Sequence, residues 1–133
     1  SGAMISGGKI TVKHSGKDTK TAYAVKVYVG SDRQFSISGC VINITSTSNA
    51  YAFRITPADK LVASKHVIGN NTVSISVGSD KACNVVSTYT SDQKYCAILQ
   101  GGTYNFKPDD WTIASGYEAV DNGNGTWTIA KAK

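Results

Sequence analysis

The sequence predicts an all-β fold, a short right-handed β-solenoid of about four coils with a C-terminal hairpin cap, and three observations carry that expectation. The first is composition. Among 133 residues Val and Ile number 23 against two Leu, Ser and Thr add 28 more, and Glu occurs once. β-Branched residues favour pleated sheet and the strong helix formers are scarce, which excludes a helical bundle. The second is a recurrence: residues 5–12, 37–44, 68–75 and 99–106 align column by column, with starts separated by 32, 31 and 31 residues. The third is a period-two alternation of apolar and polar residues within each copy, the pattern of a strand with one buried face.

Each column of the repeat has its own role. Columns one, six and eight are apolar in every copy, giving Ile5, Ile37, Ile68 and Leu99; Ile10, Ile42, Val73 and Tyr104; and Val12, Ile44, Ile75 and Phe106. These are expected to face the core. Column seven, Thr11, Asn43, Ser74 and Asn105, is the polar outward half of the same strand. Column three holds Gly7, Gly39, Asn70 and Gly101, residue types that tolerate positive φ, and marks a corner. A repeat unit of this length cannot cover its own apolar face. Stacking on its neighbours can, and about three units suffice for stability.

Between the copies runs a further strand, clearest at residues 22–27 and 50–55. Alternation predicts that Tyr23 and Tyr51, Val25 and Phe53, and Val27 and Ile55 point inward, with Lys26 and Arg54 outward. The third copy is less regular, with Cys83, Val85 and Val86 at the corresponding place, and a strand over 94–99 feeds the last corner. Polar segments at 15–21, 31–34, 56–60, 78–81 and 91–93 read as loops leaving the corners. The competing architecture is an immunoglobulin-like β-sandwich, which short strands also fit. It ranks second because a sandwich has no reason to restart at near-constant intervals.

The organisation that follows is an expression remnant at residues 1–4, repeats over 5–106 (about 5–36, 37–67, 68–98 and 99–106), and a capping hairpin with a tail over 107–133. Pro108 interrupts the strand pattern, and residues 116–120 and 126–129 flank the glycine-rich turn Asp121-Asn-Gly-Asn-Gly125, a hairpin signature. A hairpin carrying Trp111, Tyr117 and Trp127 near the end of the stack would cover strand edges otherwise open to other molecules.

The net charge is +5 and the isoelectric point about 9.1. The basic residues are scattered singly, with no basic run and no RNA-binding aromatic signature, so no nucleic-acid partner is expected. No run approaches the roughly 18 apolar residues of a membrane helix, and no membrane insertion is expected.

Candidate chemistry is sparse. Cys40, Cys83 and Cys96 lack zinc-ligand spacing, and neither a metal nor a cofactor is expected. Cys83 and Cys96 could close a disulfide across the third unit's loop. The reading preferred is that all three cysteines pack as small apolar residues. His14 and His66, with no nucleophile motif beside them, are expected to be ordinary solvent-side residues. Asp109 and Asp110 are adjacent and diverge if extended, while Asp18, Asp32, Asp59, Asp80 and Asp92 sit singly in loops, so no catalytic pair is assigned. The aromatic residues Trp111, Tyr117 and Trp127 are the candidate binding residues. Exposed rings stack on sugars, and the competing role for the same side chains is to seal the end of the core.

Residues 100–129, Gln-Gly-Gly-Thr-Tyr-Asn-Phe through Ala-Ser-Gly-Tyr-Glu-Ala-Val-Asp-Asn-Gly-Asn-Gly-Thr-Trp-Thr-Ile, resemble a closing segment of β-helical repeat modules in large surface proteins of Gram-positive bacteria. That segment runs Ile-Ser-Gly-Gly-Thr-Phe, a spacer with Asp-Pro, Asp-Gly-Tyr, then Asp-Asn-Gly-Asp-Gly-Thr-Trp-Thr-Val, and similar modules occur in phage tail proteins. Here Asn124 replaces an Asp and Pro108-Asp109 reverses Asp-Pro, which leaves Asp121 as the turn's one carboxylate and weakens any calcium site there. The resemblance implies an extracellular location, on a bacterial surface or a virion. It also implies a non-catalytic rigid spacer or adhesion element, with a glycan or a surface receptor as partner. The isolated module is expected to be a monomer, and a homotrimer if it belongs to a phage fibre. The alternative function is a fragment of a polysaccharide-active enzyme.

Overall fold

The computed structural model describes residues 3–17, 20–29, 34–57, 66–88 and 98–133. Among them are β1 (Ala3–Ser6), β2 (Lys9–His14), β3 (Ala22–Val29), β4 (Phe35–Ser38), β5 (Val41–Ser46), β6 (Ala50–Pro57), β7 (Val67–Ile68), β8 (Thr72–Val77), β9 (Cys83–Thr88), β10 (Thr103–Tyr104), β11 (Tyr117–Asp121) and β12 (Trp127–Lys131). A 3-10 turn, Asp110–Thr112, precedes β11. The fold is all-β with parallel sheets. One sheet is ordered β1-β4-β7, a second β2-β5-β8-β10 with β12 and β11 added beyond β10, and a third β3-β6-β9. The chain visits the first, second and third sheet in turn and then begins again, so each parallel neighbour is reached by way of the other two sheets.

The repeat columns are neighbours in space. Ile5 pairs with Ile37 and Ile37 with Ile68, and isolated bridges carry that column on to Leu99 and then Ile113. Ile10 pairs with Ile42, Ile42 with Val73 and Val73 with Tyr104. Val12 pairs with Ile44 and Ile44 with Ile75. Ile37, Ile42, Ile44, Ile68, Val73, Leu99 and Tyr104 are all buried in one core. Each such aliphatic side chain stabilises the fold by about 1.5–3 kcal/mol relative to exposure.

Three expectations about individual residues are corrected. Tyr23 and Tyr51 turn outward. The pairing of β3, β6 and β9 omits Ala24 with Ala52 and Ala52 with Val85, and Ala52 and Phe53, like Val85 and Val86, are buried in succession. The alternation therefore slips by one residue at the same level in three neighbouring strands, as at a stacked bulge. The small Ala22 and Ala50 take the inner sites, and the two tyrosine rings stack outside at 6.1 Å with an angle of 22°. The Lys26 Nζ and the Arg54 guanidinium carbon each lie 5.6 Å from the Tyr23 ring centre, and Arg54 Nη1 donates to Tyr23 Oη at 3.1 Å.

His66 is buried, and its Nδ1 accepts the Phe35 N–H at 3.2 Å. It anchors the start of β4 instead of facing solvent. The glycine corner also differs in detail. Gly7 and Gly39 have φ of +80° and +76°, whereas Asn70 and Gly101 do not adopt positive φ, and in the last copy the left-handed residue is Gly102 at +103°. In the third copy the neighbouring Asn71 takes over, its amide accepting the Cys40 N–H at 3.0 Å and donating to the Ile37 carbonyl at 3.2 Å. Gly101 serves close approach: a Cβ there would lie 3.2 Å from the Gly69 backbone.

The expected hairpin is present, with Tyr117 opposite Lys131 and Asp121 opposite Trp127, and β12 pairs antiparallel with β10. Of the strand expected over 94–99, residues 94–97 lie outside the described residues, as do the loop at 91–93 and parts of the loops at 15–21, 31–34 and 56–60. No described helix is long and apolar enough to cross a membrane.

Candidate ligand-binding groove

The segment after Phe106 builds an open concavity. β10 ends at Tyr104, and Pro108 follows four residues later. Asp109 is extended, and the 3-10 turn closes through Thr112 N–H to Asp109 carbonyl at 2.9 Å and Thr112 Oγ1 to the same oxygen at 2.6 Å. The buried Thr112 returns its carbonyl to the N–H groups of Ile98 and Leu99, both at 2.9 Å, and the Ala114 N–H bonds the Leu99 carbonyl at 2.9 Å. The turn is thereby locked to the last rung of the first sheet. Gly116, at φ +83°, then reverses the chain into β11.

Between this turn and β11 lies an open groove of about 460 Å³. It is lined by Tyr117, whose side chain also packs half-buried against the core, by Lys107, Asp110 and Ser115, and by Glu118 on the other face of β11. An aromatic ring beside hydroxyl and charged groups is the combination that binds a sugar, the ring by stacking and the polar groups through the hydroxyls.

Of the three residues singled out in the sequence, Tyr117 alone lines the groove. Trp111, like Tyr117, is half-buried against the core, but it does not line the cavity although its neighbours Asp110 and Ile113 do. Trp127 sits opposite Asp121, four residues along β12 from the partner of Tyr117, or about 14 Å away. It is half-buried on the same hairpin face as the buried Ile129, beside Tyr104. The trio therefore does not form one stacking platform. Lys107 and Glu118 were missed, and Asp110 was weighed only with Asp109 and set aside, because a proline, a 3-10 turn and a strand reversal separate the three in sequence, and none of these has a spacing that betrays the groove.

Comparison with family models, with curated proteins and with solved structures finds no match to this chain. The groove must be interpreted from its own chemistry.

A second polar cluster lies where the same segment meets the third sheet. Asn84 Nδ2 donates to the Asp109 carboxylate at 2.7 Å, next to Cys83. Burial first, then the Asp109 charge, pushes the Cys83 thiol up, which disfavours the thiolate a nucleophile needs. Burial, followed by Tyr23, Asp109 and Cys83, likewise raises the Tyr51 phenol. The cluster ties the C-terminal segment to the stack. Cys96, and with it the Cys83–Cys96 pairing, lies outside the described residues, as do Asp18, Asp32, Asp59 and Asp92. No group of three or more metal-ligating side chains converges among the described residues.

Proposed function

We propose that the chain is a short right-handed β-solenoid of about four coils, closed by its C-terminal hairpin, acting as a non-catalytic extracellular spacer and adhesion module that binds a glycan. Parallel pairing of strands 28 to 33 residues apart in all three sheets supports the solenoid over the immunoglobulin-like sandwich, whose sheets are antiparallel. The hand follows from the strong bias of parallel crossovers. The extracellular bacterial or virion setting rests on the resemblance of residues 100–129. A receptor on the host or bacterial surface is the other partner of this reading, and no nucleic acid is expected.

The observation that carries the binding function is the groove, where Tyr117 stands beside Ser115, Lys107, Asp110 and Glu118. Titrating labelled protein with a panel of neutral and charged oligosaccharides should shift amide signals over 107–119. Binding should be lost in Tyr117→Ala and kept in Trp127→Ala. A panel that leaves every signal in place removes the adhesion reading.

One observation favours a second reading. Asp110 and Glu118 line the same groove, and a carboxylate pair is the equipment of a glycosidase. Release of reducing ends from a bound glycan, abolished in Asp110→Asn and Glu118→Gln, would replace the adhesion module by an enzyme.

A further inference from the structure

The tip of the hairpin between β11 and β12 holds two Asn–Gly pairs, Asn122-Gly123 and Asn124-Gly125. Both glycines have positive φ, +78° and +86°, and all four residues are exposed. Asparagine before glycine is the pair most prone to cyclise, because no Cβ screens the glycine nitrogen and its backbone turns freely toward the side chain. By sequence the two pairs are equivalent. Their hydrogen bonds set them apart.

At the first pair both reacting groups are held. The Gly123 N–H, whose nitrogen would attack, donates to the Asp121 carboxylate at 2.8 Å. The Asn122 Nδ2, which would leave, donates to Thr126 Oγ1 at 3.0 Å and to Thr128 Oγ1 at 2.9 Å. At the second pair no bond among the described residues engages either the Gly125 N–H or the Asn124 Nδ2. Asn124 Oδ1 instead accepts twice, from the Thr126 N–H at 3.2 Å and from Thr126 Oγ1 at 2.6 Å. A backbone N–H can only donate, which fixes the oxygen as the atom facing it. These two donors stand where negative charge develops on Oδ1 when the side-chain carbon is attacked. Thr126 also links the pairs, since its hydroxyl accepts from Asn122 and donates to Asn124, and each bond strengthens the other.

We propose that Asn124 is a site of spontaneous deamidation in the folded protein and that Asn122 is protected from it. The Gly125 nitrogen gives its proton to solvent base and bonds to Asn124 Cγ. The Cγ–Nδ2 bond breaks, and that nitrogen takes up a proton from solvent and leaves as ammonia. The five-membered succinimide so formed adds water, the one co-reactant, at either carbonyl and opens to aspartate or to isoaspartate. No electrons are exchanged. The aspartate keeps an oxygen for both Thr126 donors, so the turn survives, and its carboxylate joins that of Asp121 at the tip. The isoaspartate instead carries the main chain through Cβ and lengthens the turn by one atom. The site includes none of the residues that line the groove.

The test is to age the intact protein in mildly alkaline buffer, digest it in weak acid, and fragment the peptides by mass spectrometry to place each gain of one mass unit. A second portion is aged in denaturant. In the folded protein Asn124 should convert at least about tenfold faster than Asn122, since attack by Gly123 must first break a bond to a carboxylate. In denaturant both asparagines simply precede a glycine, and the two rates should converge. Asp121→Ala, a change at an exposed position, frees the Gly123 N–H and should speed conversion of Asn122 several-fold. Equal rates in the folded protein, faster conversion at Asn122, no conversion at either residue, or an Asn122 rate unmoved by Asp121→Ala would each overturn the proposal.

Discussion

The side-chain amide of Asn105 bonds both backbone groups of Ile75, Nδ2 donating to the carbonyl at 3.0 Å and Oδ1 accepting the N–H at 2.9 Å. β10 ends at Tyr104, yet β8 continues to Val77, and its edge would be left bare where the chain departs. One side chain imitates the missing residue of a strand.

Asn105→Ala should therefore cost about 1–2 kcal/mol, the usual worth of two partly solvated hydrogen bonds. Asn105→Asp should cost more than the alanine, because it sets a carboxylate oxygen against the Ile75 carbonyl. Urea unfolding of the two variants checks the order, and an aspartate as stable as the wild type would show that the amide donor contributes nothing.

Ile10 and Ile42 share a column but not a depth. Ile42→Ala should lose about 2–5 kcal/mol, the range for a large-to-small change in a closed core. Ile10→Ala, on the half-buried first rung, should lose roughly half as much, because water already reaches it and little cavity forms. Equal losses in thermal or chemical unfolding would mean that the first rung is covered.

Tyr104 is buried, and its hydroxyl donates to the Gly101 carbonyl at 3.0 Å. Burial raises its phenol above the ordinary value of 10.0. The folded state thus keeps a proton that the unfolded chain releases. The associated stability is complete below about pH 10 and falls as the pH rises beyond it, by about 1.4 kcal/mol per pH unit while only the folded form remains protonated. Unfolding midpoints between pH 9 and 11.5 should show this slope, and Tyr104→Phe should flatten it. An unchanged slope in the phenylalanine variant would place the titration elsewhere.

The rungs were legible in the sequence because Ile10, Ile42, Val73 and Tyr104 repeat a spacing that parallel stacking converts directly into contact. The outward turn of Tyr23 and Tyr51 was not, since one slipped residue at Ala24 and Ala52 inverts every inference drawn from strict alternation before it. The alanines were the available signal: small residues recur at 22, 24, 50 and 52 where the inner surface has least room. Continuation of the first column to Ile113 was hidden for another reason. It depends on the 3-10 turn bringing a non-repeating segment back onto Leu99. Tyr117 was found from its aromatic character, but the groove it lines is made by that same return of the chain.

The direction of the sheet bonds also bears on how the molecule carries load. Between parallel strands the hydrogen bonds point from one rung to the next, so tension applied between β1 and the hairpin pulls along them and parts the rungs in succession. A force directed along the strands must instead shear every bond of a pair together. A molecule built this way yields gradually when drawn lengthwise and resists being slid sideways.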